Sequence, residues 1–275
     1  MPEKEIESES MFLLKLIWSI IKLPFTLIMV LFKKKEISDL AEPIKEIFKF
    51  IFEAKFTLTI IIINFLIFGA TTALPGLINI FAQFPADLFS SRVWSLFTAG
   101  FIHANLAHII GNMLFMFVCG RVVERELGSA KTALIYFGAL LISGVFSALI
   151  HLFVMKDNIP GVGASGALMG IVATAMLVAP FYITYEILIP LPLMLVGWIA
   201  IWSDITGIIN PTEDGIGHFA HLGGFLSITL LMFLIGSEDR GKIWKGFLIN
   251  LISIAVLAGI YFALKATGYS FPKLG

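Results

Sequence analysis

From residue 56 onward the chain is a succession of apolar runs separated by short polar breaks. Seven runs reach the roughly 20 mostly apolar residues that a helix needs to cross a bilayer. They lie near Phe56–Pro75, Ala104–Val123, Thr132–Val154, Gly163–Ile183, Ile187–Ile208, Ile216–Ile235 and Trp244–Lys265. The pattern predicts seven spans and shows no internal repeat. Met11–Phe32 is also long enough, but it carries Lys15, Lys22 and Pro24. A Lys at a helix centre costs about 2.5–3.5 kcal/mol on insertion scales, and residues seven apart share a helix face. The reading therefore favours an amphipathic helix at the membrane surface over an eighth span. Glu36–Lys55 mixes charge with Ile and Phe and reads as a second surface helix leading into the first span.

Composition agrees with this pattern. Apolar residues make up 58% of the 275, and charged residues only 14%. Soluble domains run about 45–50% apolar and about 25% charged, so an ordinary soluble domain is excluded. Disorder is excluded too, because it needs low hydrophobicity and high net charge. The mean hydropathy is +0.95. A net charge of zero gives no basic footprint for nucleic acid. The single cysteine, Cys119, allows neither an internal disulfide nor a thiolate metal cluster.

The cations orient the bundle. With the amino-terminal segment placed in the cytoplasm, 15 of the 19 Lys and Arg fall on the inside. The outside holds only Arg92, Lys156, Lys265 and Lys273, which is the expected bias. The outer loop Asp204–Gly215 holds Asp204, Glu213 and Asp214 and no cation. The first outer loop, Gly76–His103, holds Phe81, Phe84, Phe89, Trp94, Phe97 and Phe101. Such aromatics sit at headgroup level. The loop reads either as lying in the membrane edge or as a plain aromatic belt.

Polar groups inside spans are candidates for function, because hydrocarbon offers them no partners. They are His108 and Asn112 in the second span, Ser165 in the fourth, and His218 and His221 in the sixth. The second, fourth and sixth spans all run from outside to inside. His108, Asn112, Ser165 and His221 therefore fall at related depths in the outer leaflet, about 5–10 Å below the surface. Each has a plainer reading: small-residue packing around Ser165, a polar clasp for His108 and Asn112, a backbone-bonded His221. Joined, they make a reaction. Ser165 is a hydroxyl nucleophile at a helix start whose unpaired N–H groups suit an anion. His221 is the base. His108 and Asn112, four apart on one face, are donors for an oxyanion. His218 is expected to have a rim role or none, and His103 and His151 are expected at the interface. No span interior is read as holding an Asp or Glu to orient the base, which points to a Ser–His dyad.

At this point the chain resembles the rhomboid family of intramembrane serine proteases. The matching residues are Trp94, the His-x-x-x-x-His-x-x-x-Asn run from His103 to Asn112, Glu124, Gly128, Gly163-Ala164-Ser165-Gly166 and Ala220-His221-Leu222-Gly223-Gly224. The resemblance covers about residues 56–236. It implies Ser165 as nucleophile and His221 as base, with His108, Asn112 and the Ser165 N–H forming the oxyanion site. It also implies a membrane-embedded first loop and a six-span core. Three positions depart from the family pattern. The Trp-Arg pair of the first loop is Trp94-Ser95, with Arg92 displaced. The aromatic four residues after the nucleophile is Met169. The Gly-x-x-x-Gly of the sixth span is Gly224 followed by Ile228, which is expected to loosen the fourth and sixth spans.

The expectation is an all-α polytopic membrane bundle, a six-span core plus one C-terminal span. It divides into a cytoplasmic or interfacial segment (1–55), a catalytic core (56–236) and an additional helix (237–275). The expected activity is cleavage of transmembrane segments of other membrane proteins near the outer leaflet of the cell membrane. It calls for no metal and no cofactor, and its partners are protein substrates and the lipid bilayer, with no nucleic acid. Two rivals stand beside it: a non-catalytic relative that retains membrane clients, and a metal or proton carrier using His108, His218 and His221.

Overall fold

A computed structural model describes residues 9–184, 190–211 and 215–267, without the side chains of residues 9–17, 20 and 47. Lys4, Lys273, Glu213, Asp214 and the Lys15 side chain, used in the reading above, lie outside the described residues. Two helices precede the core, α1 (Glu9–Leu31, with Pro24 inside it) and α2 (Glu42–Phe52). Each of the seven apolar runs then forms one helix. They are α3 (Lys55–Ala73), α4 (Leu106–Leu127), α5 (Ser129–Met155), α6 (Ser165–Val178), α7 (Leu193–Ile209), α8 (His218–Leu234) and α9 (Ser237–Ala266). Among the described residues, α3, α4, α5 and α9 are long and apolar enough to cross a membrane by themselves. Together with the run of shorter apolar helices between them, they form an all-α polytopic bundle.

Two predicted boundaries move, for a local reason. The fourth span was read to Ile183, but α6 stops at Val178. The fifth was read from Ile187, but α7 begins at Leu193 after Pro192. Proline removes a backbone donor and holds the residue before it extended. Pro180, two residues past Val178, therefore closes α6, and Pro190 and Pro192 hold back the start of α7. Of the described residues between the two helices, β1 (Ile183–Thr184) pairs antiparallel with β2 (Leu191–Pro192). Ending at Val178, α6 has only 14 residues. At 1.5 Å per residue that is about 21 Å, short of the roughly 30 Å hydrocarbon core.

This short helix is the centre of the molecule. Gly166 to Leu168 and Gly170 to Met176 are all buried, and α4, α5, α7, α8 and α9 pack around them. Close approach depends on small residues. A side chain at Gly224 of α8 would overlap the Gly166 carbonyl, and one at Gly170 would overlap Ala139 of α5. Small residues at such crossings let membrane helices touch along their backbones. The expected loosening at Ile228 does not occur: Ile228 is itself buried in the core, and Gly166, Gly170 and Gly224 supply the contact.

Polar clamps fix the ends of the bundle. The buried Glu124 of α4 accepts from Phe56 N (2.8 Å), Thr57 N (2.9 Å), Thr57 Oγ1 (2.8 Å) and Ser129 Oγ (2.5 Å). A carboxylate so placed satisfies first-turn donors of α3 and opposes the positive end of its dipole. Gly128, at φ +85°, makes the turn from α4 to α5. The Arg121 guanidinium sits 3.3 Å from the centre of the Phe50 ring and 3.6 Å from Glu53, which seats α2 on the core. At the other end of the chain, α9 lies against α6 through Gly246, where a side chain would overlap the Leu177 carbonyl. Asn250 locks that contact, donating to Met176 O (3.0 Å) and accepting from Trp198 Nε1 (2.8 Å).

Candidate active site

Ser165 is the first residue of α6 and follows Ala164 at the cap position. Before it stands Gly163 at φ +121°, a backbone conformation closed to most L-residues. Gly163 N donates to Ala99 O (2.9 Å), which fixes the turn. The N–H groups of the first turn of α6 have no carbonyl partner within the helix. They face the start of a cavity of about 710 Å³ whose lining includes Ser165, His221, His108, Ser143 and His151.

The donors predicted on α4 do converge on this turn. An ideal Cβ on Gly163 would lie 2.7 Å from His108 Nε2 and 3.6 Å from Asn112 Nδ2. The two residues differ in placement, however. His108 lines the cavity, whereas the buried Asn112 stands behind it and donates through Nδ2 to His103 Nε2 (2.9 Å). His103 was expected at the interface. It is 1% exposed, and its ring meets that of His108 edge to face at 5.0 Å. Burial, and then the neighbouring His108 ring, push the His103 imidazole down to about 4. A neutral His103 is the acceptor that Asn112 requires. Asn105 starts α4 by accepting from His108 N (2.9 Å), which sets the pitch of the His108 side chain.

His221 lies in the first turn of α8, beside the same cavity. Among the described residues no hydrogen bond joins it to Ser165. Such bonds often tighten only with substrate in place. Its Nδ1 is 2.9 Å from Asp204 Oδ1. This corrects two expectations. Asp204 does not belong to the outer loop: it lies inside α7, 3% exposed. A carboxylate therefore does stand in a span and does touch the candidate base. His218 is no rim residue either. Its Nδ1 lies 2.9 Å from the same Asp204 oxygen, and its ring fills the space over Gly207, where a side chain would overlap it. Donor atoms of Asp204, His218 and His221 lie within 4.8 Å of one another, a set chemically able to hold a metal ion.

The first loop is a chain of short helices, Gly76–Phe81, Pro85–Phe89, Ser95–Thr98 and Ala99–Phe101. Its displaced arginine still anchors it. Arg92 donates to Asp87 Oδ2 (3.3 Å) and Ile80 O (2.9 Å) and lies 5.4 Å from the Trp94 ring centre. Ser95 Oγ donates to the same Asp87 oxygen (3.3 Å). Gln83 pairs by its backbone with Gly161 and donates to Gly144 O (3.0 Å), tying the loop to the approach to Ser165. On the far wall of the cavity, His151 Nδ1 meets Asp157 Oδ1 at 2.7 Å.

Comparison with known proteins converges on one family. The model of the Rhomboid domain matches residues 90–238. RHOMBOID-like protein 4 of Arabidopsis thaliana is 27% identical over 187 residues, 62% of this chain and 45% of that one. RHOMBOID-like protein 12, mitochondrial, of the same plant is 30% identical over 149 residues, 49% of this chain and 44% of that one. Rhomboid-like protease 1 of Toxoplasma gondii is 26% identical over 200 residues, 72% and 64% of the two chains. The chain spans less than half the length of the two plant relatives. The matched region runs from the first loop through α8 and holds every candidate site residue. With its run of apolar helices this is an integral membrane protein, and the chain belongs to the rhomboid family.

Proposed function

We propose that the chain is an intramembrane serine endopeptidase that cuts transmembrane segments of other proteins near the outer leaflet of the cell membrane. One observation carries the reading: Ser165, at the half-buried start of a short central helix, and His221 line one cavity, with His108 over the Gly163 turn that leads into Ser165. Ser165 Oγ attacks the scissile carbonyl carbon while its proton passes to His221 Nε2. The resulting oxyanion is held by first-turn N–H groups of α6 and by His108, with Asn112 behind it. The C–N bond breaks as His221 returns the proton to the leaving amine. Water, deprotonated by His221, then attacks the acyl carbon; the bond to Ser165 Oγ breaks, His221 returns the proton to Oγ, and the new carboxylate leaves. The cation distribution supports a cytoplasmic amino-terminal segment and a cavity that opens outward. The exposed Phe89, Trp94 and Phe97 support a first loop resting in the membrane edge.

The test is cleavage by purified protein in detergent. A single-span substrate with small residues near its outer end is expected to be cut by the wild type and left intact by Ser165→Ala. Equal cleavage by the two proteins would overturn the reading.

A further inference from the structure

We propose that Asp204 is a positioning residue for the base: through one carboxylate oxygen shared with His218, it fixes the His221 ring and its tautomer so that Nε2 is left to take the Ser165 proton. The inference rests on the protease reading above and extends it from a Ser–His pair to a buried Ser–His–Asp line with a second histidine bracing the carboxylate.

Asp204 Oδ1 lies 2.9 Å from His221 Nδ1 and 2.9 Å from His218 Nδ1. A carboxylate oxygen only accepts, so at that distance each Nδ1 carries the hydrogen. In a neutral imidazole one nitrogen donates and the other accepts. Fixing the donor at Nδ1 makes Nε2 the acceptor, the state a base needs before it meets a serine hydroxyl. The arrangement also bears on the charged state. A carboxylate inside a span is costly unless paired. Here the second oxygen, Oδ2, is buried and has no hydrogen-bond partner among the described residues. Asp204 is therefore under-satisfied while His221 is neutral. It gains most when His221 becomes the imidazolium, which is an interaction stronger in the transition state than before it.

Two further features show that α7 is shaped for this contact. Gly207, one turn beyond Asp204, leaves the space that the His218 ring occupies. The His218 and His221 rings stand nearly perpendicular, 84° apart, so both Nδ1 atoms reach the one oxygen without stacking. His218 then keeps the carboxylate from turning away when His221 moves.

The experiment has two arms. In the first, the wild-type protein is labelled with nitrogen-15 histidine, and His221 is assigned by the signals lost in His221→Asn. The proposal expects a protonated Nδ1 and an unprotonated Nε2 at a pH where the ring is neutral. A protonated Nε2, or an even mixture of tautomers, would overturn it whether or not the protein cleaves anything. In the second arm, Asp204→Asn is compared with wild type on the transmembrane substrate. The corresponding exchange in soluble serine proteases lowers kcat by about 10⁴. A carboxylate shared by two rings is expected to give a loss of about 10²–10⁴ with KM little changed, reversed His221 tautomer signals, and partial recovery in Asp204→Glu. A kcat loss with unaltered tautomer signals would mark Asp204 as a packing residue and contradict the proposal, as would full activity in Asp204→Asn. A wild-type protein that neither cleaves nor takes a fluorophosphonate on Ser165 would instead refute the protease reading, leaving the tautomer measurement to decide the contact itself.

Discussion

Gly163→Ala probes the turn on which the proposed oxyanion site is built. The perturbation has two parts. An alanine must hold φ +121°, which L-residues rarely adopt, at a cost of about 1–3 kcal/mol. Its Cβ would also lie 2.7 Å from both His108 Nε2 and His108 Cε1. Carbon and nitrogen atoms pack at about 3.5 Å, so the ring has to retreat by about 0.8 Å or the turn has to open by as much. An oxyanion donor works over about 2.7–3.1 Å, and its removal costs about 10²–10³ in kcat. The expected result is a 10²–10³-fold fall in kcat, roughly 3–4 kcal/mol of lost transition-state stabilisation, together with a lowered midpoint of thermal unfolding. The assay is initial-rate cleavage of a transmembrane substrate in detergent beside a thermal scan. Gly69→Ala is the control, because a side chain there meets nothing within 4 Å. A double-mutant cycle with His108→Ala sharpens the test. If the glycine acts through the ring, the two losses in kcat are strongly non-additive. Wild-type turnover in Gly163→Ala, or losses that simply add, would refute the argument.

Other outcomes follow from the same geometry. Asn112→Ala is expected to lower kcat by about 10²–10³ while Ser165 still takes a fluorophosphonate, and unchanged turnover would make the His103–Asn112 pair purely structural. His103 is held near 4 in the folded protein against an ordinary 6.5, so between those values the unfolded chain binds the extra proton. Its contribution is full above pH 6.5 and is lost as the pH falls toward 4. The midpoint of thermal unfolding measured from pH 7 to 4 should therefore fall more steeply for wild type than for His103→Gln, and parallel curves would contradict this. Glu124→Ala strips the acceptor from three groups at the start of α3 and from Ser129 Oγ. It is expected to cost about 3 kcal/mol or more of stability, with Glu124→Gln losing less, and a change below about 1 kcal/mol would show the cap to be dispensable.

How much of this was legible in the sequence differs by element. The spans were, because an apolar run of about 20 residues needs no tertiary information to be recognised. That Ser165, His108 and His221 would meet was also legible, because their spans were read with a common direction; they line one cavity, with Asn112 behind it. Asp204 was not, since an acid near the end of an apolar run reads as the start of a loop. The signal that could have found it is the continuation of the run through Ile205, Ile208 and Ile209, with Gly207 three residues on, which makes Asp204 an interruption within a helix. His103 was misplaced for the converse reason: its partner, Asn112, is supplied by folding and not by spacing along a helix. The shortness of α6 followed from Pro180, which stands two residues past its end and cannot continue the helix. The clash of Gly163 with any larger residue is a three-dimensional fact that no one-dimensional pattern carries.

Ser165 is proposed above as a nucleophile made reactive by His221. Its most direct test is to treat the purified protein with a fluorophosphonate, digest it, and locate the adduct by mass spectrometry. The expected result is a single modified residue, Ser165, with labelling strongly reduced in His221→Ala and in Asp204→Asn. An adduct on another serine, or labelling of Ser165 at the wild-type rate without His221, would contradict it.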